Sequence, residues 1–272
     1  RGHVCSFCRG SDMHVRPSNG RGMRSLGYRR LHKGFALLAL GSLAFALAAL
    51  MRDLLGWASV DLGVSACAVD VLLGALDPRV APIALGIPAS MVLLAFTNND
   101  FDARFVLSHT AGRRSLAMRE CACACAAAGL TVLGALSVTA VLSCAAGVPF
   151  MNWGDAASYG AWRADMPMSV PMPVPLLAFS IHVFSALFAL LVFEVWARWA
   201  CRRAWWSLVA IIPYSLIYAV TLGPILAVGP ESFTSVPWPS LACSMLLVVG
   251  AGVLSCLFSH SSLVGNKDFY GC

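Results

Sequence analysis

Residues 98–120 read NNDFDARFVLSHTAGRRSLAMRE. This is the longest charged insert in a mostly apolar chain, and strongly apolar segments lie on either side of it, 80–97 before and 121–147 after. A helix needs about 20 residues to cross about 30 Å of hydrocarbon. Both flanks come close to that length, so the insert reads as the connection between two membrane spans.

Composition points the same way. The chain has 272 residues, of which 59% are apolar and 12% charged, with a mean hydropathy of +0.76, whereas about a quarter of the residues in soluble domains are charged. The expected fold is all-α, a polytopic membrane protein with six transmembrane helices at about 34–51, 80–97, 121–147, 174–197, 204–228 and 241–258. A basic tail, 1–33, largely disordered, precedes them, and a second tail, 259–272, follows. No soluble domain large enough to carry its own core is expected.

Several local expectations follow. Arg52 and Asp53 end the first span. The acids Asp53, Asp61, Asp70 and Asp77, interleaved with short apolar stretches such as Val71-Leu72-Leu73, suggest a helix lying on the outer surface before Arg79. Pro82, Gly86 and Pro88 should kink the second span. The third is dense in Ala, Gly, Ser and Cys, which permits close helix approach. Met13 and Met23 are candidate starts. An uncleaved first span is favoured over a leader cut near Ala46-Leu47-Ala48.

Charge placement tests the span count. With six spans, every Lys and Arg except Arg52, Arg79 and Arg163 falls on the side of the amino-terminal tail. The positive-inside rule then puts both termini in the cytosol and the insert with them. The net charge of +6 therefore concerns membrane orientation, not nucleic acid. Tryptophans agree: Trp57, Trp153, Trp162 and Trp238 fall near the exterior side, and Trp196, Trp199, Trp205 and Trp206 near the cytosolic one, as interfacial indoles should.

Most of the eleven cysteines lie in apolar runs and behave as small hydrophobes. Cys67 and Cys144 fall near the same exterior face, where one bridge is conceivable. Cys5 and Cys8, with His3 and His14, offer a weak zinc-ligand set in the tail. Ionisable groups within spans are functional candidates, and two occur. Glu194 is followed by Arg198 at the favourable i,i+4 spacing, a snorkelling or paired end residue in the simplest reading. His182 lies deeper, with Ser180 and Ser185 nearby, as a hydrogen-bonded packing residue or a proton or substrate site. At about 1.5 Å per residue, His182 and Glu194 are about 18 Å apart along one helix and cannot act together. No phosphate-binding loop, H-E-x-x-H or G-x-S-x-G is present. The chain is thus expected to be no enzyme, with no catalytic residues and no cofactor of its own.

Within the insert, a short helix over 99–108 would place Phe101 and Phe105 on one face, beside Asp100 and Arg104. Thr110-Ala111-Gly112 allows a turn before Arg113 and Arg114, and Arg119 and Glu120 open the third span. A solvated loop whose arginines only fix topology is the plain alternative. Exposed aromatics on a cytosolic helix, however, suit a partner.

Six spans, a basic amino-terminal segment, and an acidic-aromatic helix followed by Gly-Arg-Arg between spans two and three resemble the permease subunits of type-2 ATP-binding-cassette (ABC) exporters. The resemblance implies that this helix is a coupling helix seated in a separate ATPase subunit, which would bind ATP and Mg. Asp100, Phe101, Arg104 and Phe105 would form the docking face. Arg113, Arg114 and Arg119 would match the basic residues that open the third span, and Lys267-Asp268-Phe269 is similar to the tail of such chains. It further implies a homodimer, or a heterodimer with a paralogous permease, in a bacterial inner membrane, in contact with lipid and moving a hydrophobic or amphipathic substrate. The competing class is a non-transporting polytopic protein, an immunity, sensor or assembly factor acting by helix–helix contacts. An intramembrane enzyme using His182 ranks third.

Overall fold

The chain is organised around a long apolar helix, α6 (Pro173–Cys201). The computed structural model describes residues 21–107, 113–201, 206–218, 230–233 and 238–260, with backbone alone for 21–33, 98–107, 113–115 and a few further positions. The other helices are α1 (Arg21–Val60), α2 (Ala68–Gly74), α3 (Ile87–Leu107), α4 (Arg113–Ala146), α5 (Tyr159–Ala164), α7 (Trp206–Ile217) and α8 (Trp238–His260). A π-helical turn, Pro82–Gly86, leads into α3, and a 3-10 turn, Pro230–Phe233, precedes α8. Among the described residues no strand forms, and the one β pairing is a bridge between Ser65 and Ser158.

The all-α expectation holds, and the membrane character with it. Segments Gly34–Val60, Leu116–Ala146 and Pro173–Ala200 are each long and apolar enough to cross a membrane, while Pro82–Thr97 and Leu241–Leu257 are shorter apolar helices. Packing explains why α6 is central. It is apolar nearly all round, the pattern of a helix enclosed by others, and it meets α4, α7 and α8 along its length and α2 and α3 more briefly. Tyr214 of α7 fastens this contact by donating its hydroxyl to the Ala186 carbonyl, 2.7 Å away. On α4, Ala117, Ala124, Ala127, Ala128 and Ala135 are fully buried. Such small residues let neighbouring backbones approach closely. Gly134 shows how closely, since a Cβ there would lie 3.1 Å from Leu43 Cδ2 of α1.

Several expectations need correction. The apolar segment starts at Gly34, as expected, but the helix that carries it begins at Arg21, within the tail expected to be largely disordered. Residues 1–20, with Cys5, Cys8, His3 and His14, lie outside the described residues. Arg52 and Asp53 do not end the first helix, because nothing there breaks the backbone; both are exposed and α1 continues to Val60. The acidic segment after it forms no surface helix either. Six of the seven residues of α2, Asp70 among them, are buried. Cys67 and Cys144 are free thiols, the first buried and the second exposed. The irregularity expected of the second span takes a definite form. The Ile87 N–H donates five residues back, to Pro82 O, and Pro88 has no N–H with which to restore the α register. The insert's short helix is not separate, since α3 carries its backbone unbroken to Leu107. Residues 108–112, 219–229 and 261–272, including Lys267-Asp268-Phe269, lie outside the described residues.

Candidate functional site

The clearest concentration of buried charge lies where α3, α4 and α6 meet, next to the insert. Ser90 and Thr97 are seven positions, or two helical turns, apart on α3 and so share a face. Glu194 and Arg198 are one turn apart on α6. All four are fully buried. Ser90 Oγ hydrogen-bonds Glu194 Oε1, and Arg198 Nη1 donates to Thr97 Oγ1 at 2.6 Å. From α4, fully buried Glu120 accepts from Trp199 Nε1 at 2.8 Å through its Oε2. The pairs fix direction as well as contact. Residue numbers rise together on α3 and α6, whereas the start of α4 meets the end of α6, so α4 runs opposite to the other two.

This corrects the reading of Glu194 and Arg198 as a snorkelling or mutually paired end. Each instead hydrogen-bonds a hydroxyl on α3. A buried ion costs several kcal/mol unless its hydrogen bonds are met, and the Thr97 hydroxyl meets part of that demand for Arg198. Glu120, expected only to open the third span, belongs to the same buried group. Arg119 beside it is exposed, as a helix turned by one residue requires. Cys121, the next residue, reaches α8, where its thiol meets the Ser255 hydroxyl.

His182 stands apart from this group, twelve residues before Glu194 on the same helix, as expected. It is fully buried, and its Nδ1 lies 2.7 Å from Ala178 O. That contact puts the hydrogen on Nδ1. Nε2 is then an acceptor with no hydrogen-bond partner among the described residues.

A second polar cluster closes the other end of the bundle. Asp70 accepts from Cys67 N at 2.9 Å and, 83 residues on, from Trp153 Nε1 at 2.8 Å. The first bond is half of a capping box that starts α2. Burial pushes the Asp70 carboxyl above its ordinary range, against the pull of these two bonds. It also pushes the Cys67 thiol up to about 12, with the Asp70 charge adding to the effect. Trp153 is therefore a buried pin, not a headgroup-level anchor. Its ring packs on Phe233 with centroids 5.4 Å apart, its carbonyl accepts from Met168 N at 2.9 Å, and a Cβ on Gly160 would come within 2.3 Å of it. Asn152 donates to Ser65 O and Oγ at 3.1 and 2.9 Å. Trp57 and Trp162, in contrast, remain partly exposed and pack edge-to-face at 5.9 Å.

Backbone alone is described at the residues expected to meet a partner, Asp100, Phe101, Arg104 and Phe105 on α3, and at Arg113 and Arg114 on α4. Among the described residues no group of His, Cys, Asp and Glu is placed to hold a metal ion. No protein family, curated protein or solved structure matches the chain.

Proposed function

We propose that the chain is the membrane-spanning permease subunit of an ABC-type exporter, worked by a separate ATPase that binds ATP and Mg. In this reading six spans cross a bacterial inner membrane with both termini in the cytosol. Two permeases, identical or paralogous, assemble with two ATPases and move a hydrophobic or amphipathic substrate. The end of the bundle closed by Asp70 and Trp153 faces outward.

One observation carries this reading. The two helices that present the insert, α3 and α4, are each bonded to α6 by buried side chains just inside it, through Ser90, Thr97 and Glu120. A push on the tip of the α3–α4 hairpin would therefore reach the central helix through Arg198, Glu194 and Trp199. A tip that merely fixed topology has no need of buried charges behind it, each costing on the order of 3 kcal/mol at a helix centre. Rigid-body movement of packed helices about such contacts is how transport machines alternate.

The test is purification of the tagged chain from its native membrane in mild detergent. A subunit with a phosphate-binding loop and ATP hydrolysis should copurify, and Phe101→Asp with Phe105→Asp should remove it while the permease itself stays folded. A chain that purifies without ATPase, or keeps it undiminished in the double variant, belongs to the non-transporting class instead.

A further inference from the structure

Ser90 stands between two acceptors. Its Oγ lies 2.9 Å from Gly86 O in the preceding turn and within hydrogen-bond distance of Glu194 Oε1 across the helix interface. A serine hydroxyl has one hydrogen and two lone pairs, so it can donate to only one of them. Were Glu194 ionised, it would bring no hydrogen, and one of the two contacts would set oxygen lone pairs against each other. The count closes when Glu194 supplies the missing hydrogen. Its Oε1–H then donates to Ser90 Oγ, and Ser90 O–H donates to Gly86 O.

The other carboxyl oxygen agrees. Glu194 Oε2 is buried and has no hydrogen-bond partner among the described residues. A carboxylate has about four lone-pair sites to satisfy, and bare charge in such a place is far costlier than the carbonyl oxygen of a neutral acid. Among the described residues, Arg198 is the charged group whose field reaches Glu194, and its Nη1 donates to Thr97 Oγ1.

We propose that Glu194 is an intramembrane proton-binding site. It is a neutral carboxylic acid at the head of a relay, Glu194 to Ser90 to Gly86, that ties α6 to α3. The ligand is a single proton, and the bond between the helices exists in this form only while the proton is held. Passing that proton to water would leave Ser90 one hydrogen for two acceptors and a negative charge one turn from Arg198. The α3–α6 contact would then have to be rebuilt around a Glu194–Arg198 pair.

Infrared difference spectroscopy of the purified chain in lipid nanodiscs tests this. Glu194→Gln should remove the carbonyl stretch of a neutral carboxylic acid, a band that shifts down in D2O. Ser90→Ala should move the same band to higher frequency by taking away the acceptor. If Glu194→Gln removes only carboxylate bands, the proposal fails. It fails equally if Ser90→Ala leaves the neutral-acid band unmoved, a criterion that holds even where Glu194→Gln does not fold. No ATPase is needed, so the result stands apart from the permease reading.

Discussion

The two buried polar clusters differ in what their bonds engage. At the end closed by α2 and α5, Asp70 takes a backbone N–H with one oxygen and Trp153 with the other, while Trp153, Asn152 and Ser65 bond the backbone of neighbouring loops. Opening this end breaks loop backbone bonds that no helix ladder replaces. At the insert end, the bonds between helices run from side chain to side chain, on helices whose own ladders are already complete. Those helices can separate by exchanging side-chain partners. The first end is a clasp and the second a joint in this sense.

The largest expected effect lies in the clasp. Trp153→Ala should destabilise the protein by about 4 kcal/mol, the usual range for emptying a buried aromatic site, and it also strips Asp70 of a donor. Thermal unfolding in detergent measures the loss. Ser90→Ala, made in the joint and emptying no aromatic site, should cost clearly less. Equal costs would erase the distinction between the two ends.

A double-mutant cycle on Glu120→Gln and Trp199→Phe sharpens the other side. The 2.8 Å bond between them joins α4 to α6, and a hydrogen bond to a charged group contributes about 1.5–3 kcal/mol. A coupling of about 2 kcal/mol is expected from paired unfolding curves. Additive single effects would mean that the contact holds nothing together.

Acidity separates the ends further. The folded protein holds the Asp70 proton more tightly than the unfolded chain, because burial raises its carboxyl. Between the ordinary carboxyl value and the raised one, folding takes up a proton, so this group's contribution to stability falls as pH rises through that window and is constant above it. The melting temperature should therefore rise as pH is lowered into the window, and Asp70→Asn should remove that component. A variant with the wild-type pH profile would show that Asp70 does not titrate on unfolding.

What could be read from the sequence followed its apolar runs. Helix α6 begins and ends close to the expected span, and α4 ends close to it, although α4 begins at Arg113, ahead of the expected 121. The failures at the two polar clusters each involve a polar residue whose partner is remote in sequence. Asp70 counted as one more exterior acid because Trp153 lies 83 residues away, although the Cys-x-x-Asp spacing of a capping box was a local sign of it. Glu120 counted only as an opening residue of the third span because Trp199 is 79 residues on. Glu194 and Arg198 were paired with each other because helical spacing is the one contact a linear reading displays; the hydroxyls of Ser90 and Thr97 become candidates only once α3 is known to run alongside α6.

The smallest perturbation tests the clasp without altering the protein's stability. Cys144 is exposed at the end of α4, whereas Cys67 is fully buried beneath Asp70. Only a thiolate attacks a maleimide. A thiol pushed up to about 12 forms roughly three thousandfold less thiolate than a free cysteine of pKa about 8.5, apart from its shielding from the reagent. A membrane-impermeant maleimide applied to intact cells, with labelled peptides mapped by mass spectrometry, should therefore modify Cys144 and spare Cys67 until the protein is denatured. Labelling of Cys67 in the native protein would mean that α2 lifts away readily, and the clasp would be no clasp. Modification of Cys144 only after the membrane is permeabilised would place the Asp70–Trp153 end inside the cell, with the joint and the insert outside, beyond the reach of any cytosolic ATPase.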